Sequence, residues 1–284
     1  MNWLKPRRTI AMVGAACLMS LVVFCFLKYV EFERRSEARE LGQRFALRLV
    51  ERISETSAGV YMLTAAVDRQ TGKVSRFDEL ADELLANFPL MRVLELAPGG
   101  VIWHVHPLRG NEVVVGHDLL LDKTRNREVH LAVTRRQMAI AGPLVLRQGG
   151  VGILARYPLF TVGPDGRSRF WGLSIGVIDF PSLLLMAGEG EFAQRGYGYE
   201  ICWKPLGSEH CRNLNGEPVV VSSMAENMDI GLSQAEWHLA VSRPGGWLSV
   251  LELSIGLLVV VAGTLGAGFL VRPSDEGVPA PQDA

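Results

Sequence analysis

Arg156 is one of the few polar side chains of this chain whose position invites a chemical role. It interrupts the apolar run "VGILARYPLF" (151–160), which follows a Gly149-Gly150 pair typical of a β-hairpin turn. Strand alternation puts Leu154 and Arg156 on the same face, but it does not say which face is buried. Two interpretations are therefore open: the guanidinium faces solvent, or it lines a binding pocket.

Two histidines form the next candidate group. His104 and His106 are two residues apart in "WHVHP", so a strand would place both rings on one face. A zinc site needs at least a third protein ligand, and neither His117 nor a carboxylate follows at a recognisable spacing. We interpret the pair as ordinary strand histidines and predict no metal site.

Cys202 and Cys211 are the only cysteines outside the apolar ends of the chain. The segment between them, "WKPLGSEH", contains a Lys-Pro and a Gly, so the two residues can face each other across a hairpin. In an oxidising compartment we expect them to form a disulfide. Its role would be structural, because eight intervening residues are not the spacing of a redox-active pair.

Catalytic motifs are absent from the sequence. It contains no nucleophile elbow, zinc motif, phosphate-binding loop or convincing pair of carboxylates. We therefore predict that the protein is not an enzyme and uses no cofactor. The net charge of −1, without a basic patch interleaved with aromatics, also argues against a nucleic-acid partner.

Long apolar segments near both ends predict membrane helices, at 9–28 and 250–271. Their uncharged stretches, 9–27 and 253–271, are about as long as a bilayer requires. The first segment ends in bulky residues without a small-residue cleavage pattern, which favours an uncleaved helix over a signal peptide.

Basic residues before the first segment predict the topology. Lys5, Arg7 and Arg8 place the N-terminus in the cytoplasm by the positive-inside rule. Two spans then put residues 1–8 and a short tail, 272–284, on the cytoplasmic side. We expect residues 29–247 to lie in the periplasm or extracellular space, anchored in the cytoplasmic (inner) membrane.

The first part of this loop, 29–73, predicts a long stalk helix. Apolar or small residues recur every three or four positions and form a single stripe: Leu41, Phe45, Leu49, Ile53, Thr56, Val60, Leu63 and Val67. The stripe either packs on the same subunit or mediates a homodimer, and both interpretations are open.

Two smaller units follow the stalk. Residues 74–180 contain a short helix, a hairpin across Gly99-Gly100, a polar helix near 123–138, and three strands joined by short turns. Residues 181–247 begin with the helical "SLLLMAG" and continue with strand-like runs such as "YGYEICWKPL" and "VVVSSM". This order predicts an α+β fold with antiparallel sheets, as in PAS-like sensors.

Three segments in succession resemble the CHASE domains, the extracytoplasmic sensor domains of the cytokinin-receptor type. They are "FPLMRVLELAPGGVIWHVHPLRGNEVVVGHDLL" (88–120), "AIAGPLVLRQGGVGILARYPLF" (139–160) and "FWGLSIGVIDFPSLL" (170–184). The resemblance covers nearly the whole loop between the two apolar segments and is of the bacterial type. It implies two PAS-like subdomains on a long helix, with a ligand bound in the distal one, 74–180.

The resemblance also implies which residues bind the ligand. Asp118 in "GHDLL" matches an aspartate that contacts ligand in the plant receptors, although a loop or helix-cap role is equally open. Ile140 matches an apolar pocket residue, and Leu144 and Leu146 would line the same pocket. Arg156 in "ARYP" departs from the plant pattern and indicates a different, anionic ligand, because a guanidinium holds a carboxylate through two hydrogen bonds.

The sequence therefore predicts a two-span membrane sensor for a small molecule of unknown identity. We expect the signal to leave through the second span to a partner, such as a kinase or a cyclic-nucleotide enzyme, since 272–284 is too short for an output domain. The alternative is a non-enzymatic module that binds a protein or an envelope component.

Overall fold

A computed structural model of the chain describes residues 4–123, 126–204, 212–213, 225–232 and 235–270. The chain divides into two compact units. The first comprises Met1–Glu37 with Gly245–Ala284, and the second comprises Ala38–Pro244. Helix α1 (Leu4–Met62) contributes its beginning to the first unit and its remainder to the second.

The first unit contains the two membrane-capable helices. The apolar part of α1 has a mean hydropathy of 2.6, and helix α6 (Val250–Leu270) has one of 2.2. The helices approach closely at glycines of α6: a Cβ on Gly256 would lie 2.8 Å from Val23 and one on Gly263 would lie 2.9 Å from Met19. Small residues thus let these two apolar helices pack, as they do in membrane bundles.

The remainder of α1 packs on the second unit through its predicted stripe. Leu41, Phe45, Leu49, Ile53 and Val60 are each at most 2% exposed. The stripe is therefore covered by the same chain, as one of the two interpretations expected. The helix ends at Met62, earlier than the stalk boundary at 73, and a 3₁₀ turn (Leu63–Ala66) follows it.

A five-stranded antiparallel sheet forms the larger part of the second unit. Its strand order is β2-β1-β5-β4-β3. The strands are β1 (Met91–Pro98), β2 (His104–His106), β3 (Ala139–Val145), β4 (Val151–Val162) and β5 (Ser168–Asp179). Helices α2 (Phe77–Asn87) and α3 (Asn126–Arg135) accompany it, and α3 is shorter than the helix predicted near 123–138.

The predicted hairpin at Gly149-Gly150 is confirmed. Strands β3 and β4 pair in antiparallel register, and both glycines have positive φ angles, 89° and 80°. Such angles are costly for residues with a Cβ, which explains a Gly-Gly pair at this turn.

A second antiparallel sheet has four strands in the order β7-β6-β9-β8. They are β6 (Gly198–Lys204), β7 (Arg212–Asn213), β8 (Glu226–Leu232) and β9 (Ala235–Ser242). Helices α4 (Phe180–Ala187) and α5 (Gly190–Gln194) connect the two sheets. The strand predicted at "VVVSSM" lies outside the described residues.

Buried contacts join the two sheets and α1 into one core. Trp237 of β9 is fully buried, and its Nε1 donates a 3.1 Å hydrogen bond to the Gly142 carbonyl of β3. The Ser174 hydroxyl of β5 donates to the Val60 carbonyl of α1 at 2.7 Å and joins the larger sheet to the helix. The α+β class with antiparallel sheets and a long first helix is as predicted.

Candidate ligand-binding cavity

Two charged residues occupy one transverse row of the five-stranded sheet. Glu95 of β1 and Arg156 of β4 are both register partners of Ile175 on the central strand β5. Directly paired residues of neighbouring strands project to the same face. Glu95 and Arg156 therefore lie on the same face of the sheet, with strand β5 between them.

This face of the sheet is buried and apolar. Arg156 is only 1% exposed and Glu95 only 3% exposed, so the interpretation that Arg156 faces solvent is wrong. The same face carries a buried apolar cluster that includes Val93, Leu154 and Val177. A charge in such surroundings needs an opposite charge nearby, because desolvation would otherwise cost several kcal/mol, on the order of 3–5.

Burial and charge act in opposite directions on Glu95. Burial raises the pKa of the Glu95 carboxyl from its ordinary 4.5 to about 7, and the Arg156 guanidinium opposes this rise. The carboxyl thus exchanges its proton near neutral pH. The guanidinium of Arg156 stays charged throughout this range.

A cavity opens above this row. Its apolar walls are Ile102, Val114, Leu119, Leu146, Leu154 and Ile175. Its polar groups are Glu95, His117, Arg147, Gln148 and Arg156. The enclosed space is about 30 Å³, and the whole space between the lining atoms, including the mouth, is about 380 Å³. The enclosed space holds about one or two water molecules and lies well below the roughly 300–1,000 Å³ of drug-sized pockets, so only a very small ligand fits the cavity as it stands.

The imidazole of His117 and the charged groups of Asp122 and Arg147 lie together beside the cavity. The carboxylate Oδ2 of Asp122 lies 3.1 Å from His117 Nε2 and 3.7 Å from Arg147 Nη2. These contacts connect the loop after β2 to the β3–β4 turn. The loop carrying His117 and the turn carrying Arg147 thus form two sides of the cavity.

Two of the five predicted ligand residues, Leu146 and Arg156, line this cavity. The other three, Asp118, Ile140 and Leu144, do not. Leu144 is half-buried and packs against the apolar cluster beside it. Asp118 lies between the lining residues His117 and Leu119, and its Oδ1 accepts hydrogen bonds from the backbone of Leu120 and Leu121 at 2.9 and 3.1 Å. The carboxylate therefore caps its own turn.

Ile140 lies on the opposite face of the sheet. Its register partner is Ala155, the neighbour of Arg156 in the strand, so alternation points it towards α1. There it lines a second space of about 400 Å³ together with Ile53 and Ser57 of α1 and Leu232 of β8. A ligand role for Ile140 would thus belong to a different cavity.

Sequence reasoning missed Glu95, His117 and Arg147. Glu95 carried a usable signal, since it is the single acidic residue between the apolar residues of "VLELA", as Arg156 is the single basic residue of its strand. Arg147 and His117 carried none, because only the folded loops bring them to the cavity.

The remaining polar candidates lie elsewhere. His106 Nδ1 lies 3.1 Å from Asp78 Oδ1, and its Nε2 lies 2.7 Å from Asp82 Oδ1, so its ring contacts α2. His104 packs on Phe77 of the same helix. Cys202 lies on β6, but Cys211 lies outside the described residues, and the disulfide stays a prediction.

Comparison with known proteins gives a family and a fold. The model of the CHASE domain family matches residues 31–201, more than half of the chain. No curated protein matches this chain significantly.

Several solved sensor domains share the fold. An extracellular ligand-binding receptor from Desulfohalobium retbaense DSM5692 is 18% identical, with a TM-score of 0.53 over 71% of this chain and 39% of that chain, so the match spans well under half of the receptor. The ligand-binding domain of the Pseudomonas aeruginosa PAO1 amino acid chemoreceptor PctC, in complex with GABA, is 12% identical. Its TM-score is 0.51, and the match covers 73% of this chain and 98% of that domain. A methyl-accepting chemotaxis protein X is 13% identical, with a TM-score of 0.50, and the match covers 75% of this chain and 98% of that chain. At such identities the likeness concerns the fold.

Proposed function

The chain belongs to the CHASE-domain family of extracellular sensor domains, and from this premise we propose that it detects a small carboxylate in the cavity at Arg156. The sensor domain spans residues 29–247, with its ligand unit at 74–180 and a second unit at 181–247. The flanking helices anchor it in the cytoplasmic membrane in two passes, with the sensor in the periplasm or extracellular space.

The observation that carries the proposal is the deeply buried arginine among the side chains that line the cavity. Arg156 is 1% exposed and lines the cavity beside Leu146 and Leu154. A carboxylate offers a guanidinium two parallel hydrogen bonds and compensates its charge. Arg147 also lines the cavity, but Asp122 Oδ2 lies 3.7 Å from its Nη2 and offsets its charge, so the preference for an anion rests on Arg156.

Strand β5 supports a route from the cavity to helix α1. Ile175 of β5 lines the cavity, while the neighbouring Ser174 donates its hydrogen bond to the Val60 carbonyl of α1. A ligand that prefers one position of β5 would shift the equilibrium of α1 by the difference between its two affinities. We propose that this shift reaches the membrane helices and a kinase or cyclic-nucleotide enzyme partner.

A panel of paired ligands tests the proposal. Full-length protein in detergent is heated with acetate, butyrate or benzoate, and separately with acetamide, butyramide or benzamide. We expect at least one carboxylate to raise the midpoint of thermal unfolding, because a ligand that binds only the folded state stabilises it, and its amide to leave the midpoint unchanged. Equal effects of each acid and its amide would refute a site that selects anions.

A second candidate function is a module that binds a protein or an envelope component. Exposed apolar side chains on the segment next to the cavity favour it: Trp103 is 59% exposed, Leu108 52% and Leu121 76%. Replacement of Trp103 by Ser would then weaken the binding of such a partner and leave carboxylate binding intact. The opposite pattern, loss of carboxylate response alone on changing Arg156, favours the small-molecule function.

A further inference from the structure

We propose that the cavity binds a monocarboxylate together with one proton, and that Glu95 is the residue that holds this proton. Glu95 then determines which charge state of the site accepts the ligand. The inference rests on the proposed carboxylate site at Arg156 and adds to it a specificity residue and a dependence on pH.

Charge balance inside the cavity gives the reason. Glu95 and Arg156 flank Ile175 in one row, and both are buried among apolar side chains. With Glu95 ionised, this pair is neutral, and a bound carboxylate would add one uncompensated negative charge to surroundings of low polarity. A proton taken from solvent onto the Glu95 carboxylate removes that excess, because the ligand then forms the ion pair with Arg156 and Glu95 is neutral.

The ionisation of Glu95 supports this exchange. Burial already brings the pKa of Glu95 to about 7 in the free protein, so protonation near neutral pH costs little. An anion bound nearby disfavours the ionised carboxylate and raises this pKa further. Protonated Glu95 also becomes a hydrogen-bond donor, which an ionised carboxylate cannot be.

Other ionisable groups also lie around this row of the sheet. His117 and Asp122 from the loop after β2 and Arg147 from the β3–β4 turn lie together beside the cavity. On β2, the register partner of Glu95 is Val105, and the adjacent His104 and His106 contact α2 instead. Histidine also titrates near neutral pH, so His117 is the group from which Glu95 must be distinguished.

The test measures carboxylate affinity against pH by calorimetry on the full chain in detergent. Acetate, butyrate and benzoate are titrated between pH 5.5 and 9 in two buffers of different ionisation enthalpy. We expect uptake of about one proton per ligand at pH 8 and a dissociation constant that rises about tenfold per pH unit above about pH 7.5. Below about pH 6 the affinity should be constant, with no net proton uptake.

Variants identify the group. Glu95→Gln mimics the protonated carboxyl and should bind at pH 8.5 about as tightly as the wild type does at pH 6, without proton uptake. His117→Asn should keep the wild-type pH dependence.

Each other outcome is decisive. A wild-type affinity that does not change with pH, or a slope that persists in Glu95→Gln, overturns the proton uptake while leaving the carboxylate site standing. Binding of zwitterionic glycine without proton uptake, in preference to acetate, overturns the assignment of a ligand with a net negative charge. Absence of binding by every carboxylate at every pH refutes the proposed function itself, and the role of Glu95 with it.

Discussion

Glu95 and Arg156 stand on the two sides of Ile175 in one row of the five-stranded sheet, at 3% and 1% exposure. The acid and the base lie on strands separated by a single strand, β5, inside an apolar layer, so each compensates the charge of the other. Removing only one would leave an uncompensated buried charge or force a change of protonation. The pair therefore couples the stability of the domain to pH.

The first prediction concerns stability against pH. Because the pKa of Glu95 is about 7 in the folded chain and 4.5 is its ordinary value, the folded state holds this proton more tightly than the unfolded state. The contribution of Glu95 to stability is thus fully present below about pH 4.5 and falls as pH rises towards 7, by roughly 1.4 kcal/mol per pH unit at the steepest. Urea unfolding of the full chain, followed by tryptophan fluorescence from pH 4.5 to 7.5, measures this slope.

Glu95→Gln should remove that part of the slope, because an amide does not ionise. The matched control is Glu83→Gln on the exposed surface of α2, which should keep the wild-type slope. If Glu95→Gln and wild type lose stability in parallel over this range, the carboxyl of Glu95 does not titrate as described.

A second prediction concerns the hydrogen bond between the two sheets. Trp237→Phe removes the donor to the buried Gly142 carbonyl, and an unsatisfied buried acceptor costs about 1–3 kcal/mol. The control is Trp171→Phe, whose indole donates to the Gly72 carbonyl at 2.9 Å from a half-buried position. Chemical unfolding should show the larger loss for Trp237→Phe; equal losses would mean that this bond does not fasten the sheets.

A third prediction tests the close packing of β5 on α1. A Cβ added to Gly176 would lie 2.5 Å from Val60 Cγ2, so Gly176→Ala forces the Val60 side chain or the helix to shift, at a cost of about 1–3 kcal/mol. Val60→Ala should relieve the clash. The double variant should therefore lose less free energy of unfolding than the sum of the losses in the two single variants. Gly231→Ala, where a Cβ meets nothing within 4 Å, is the control. Strict additivity of Gly176→Ala and Val60→Ala would contradict the contact.

Local patterns predicted much of this fold, because their causes are local. The stripe from Leu41 to Val60 follows helical spacing and is the buried face of α1, and Gly149-Gly150 turns a hairpin because positive φ angles favour glycine. The sequence predicts a helix that ends too late, at 73, because residues 63–70 continue the apolar spacing. In the structure the helix already ends at Met62.

The site was harder to predict because it depends on pairing between distant strands. Alternation put Leu154 and Arg156 together but left their face open, since Ile153 and Ala155 on the other face are equally apolar and also fully buried. Only the sheet order, which sets β5 between β1 and β4, brings Glu95 to Arg156. The predicted roles of Asp118 and Ile140 came from resemblance, and the structure places one in its own turn and the other on the opposite face.

The central claim is that Arg156 binds the carboxylate of a ligand, and the affinity of one variant tests it most directly. The variant is Arg156→Met with Glu95→Gln, which removes both charges and keeps similar volumes, so that no uncompensated charge is buried. Arg167→Met, at an arginine whose side chain is 85% exposed in the β4–β5 turn, is the control.

Calorimetric titration of the full-length proteins at pH 6, with the carboxylate that stabilises the wild type most, gives the decisive comparison. We expect the control to bind like the wild type and the double variant to lose at least about 30-fold in affinity, because a buried charge pair with a ligand is worth 2 kcal/mol or more. A double variant that binds within about threefold of the wild type would contradict the account.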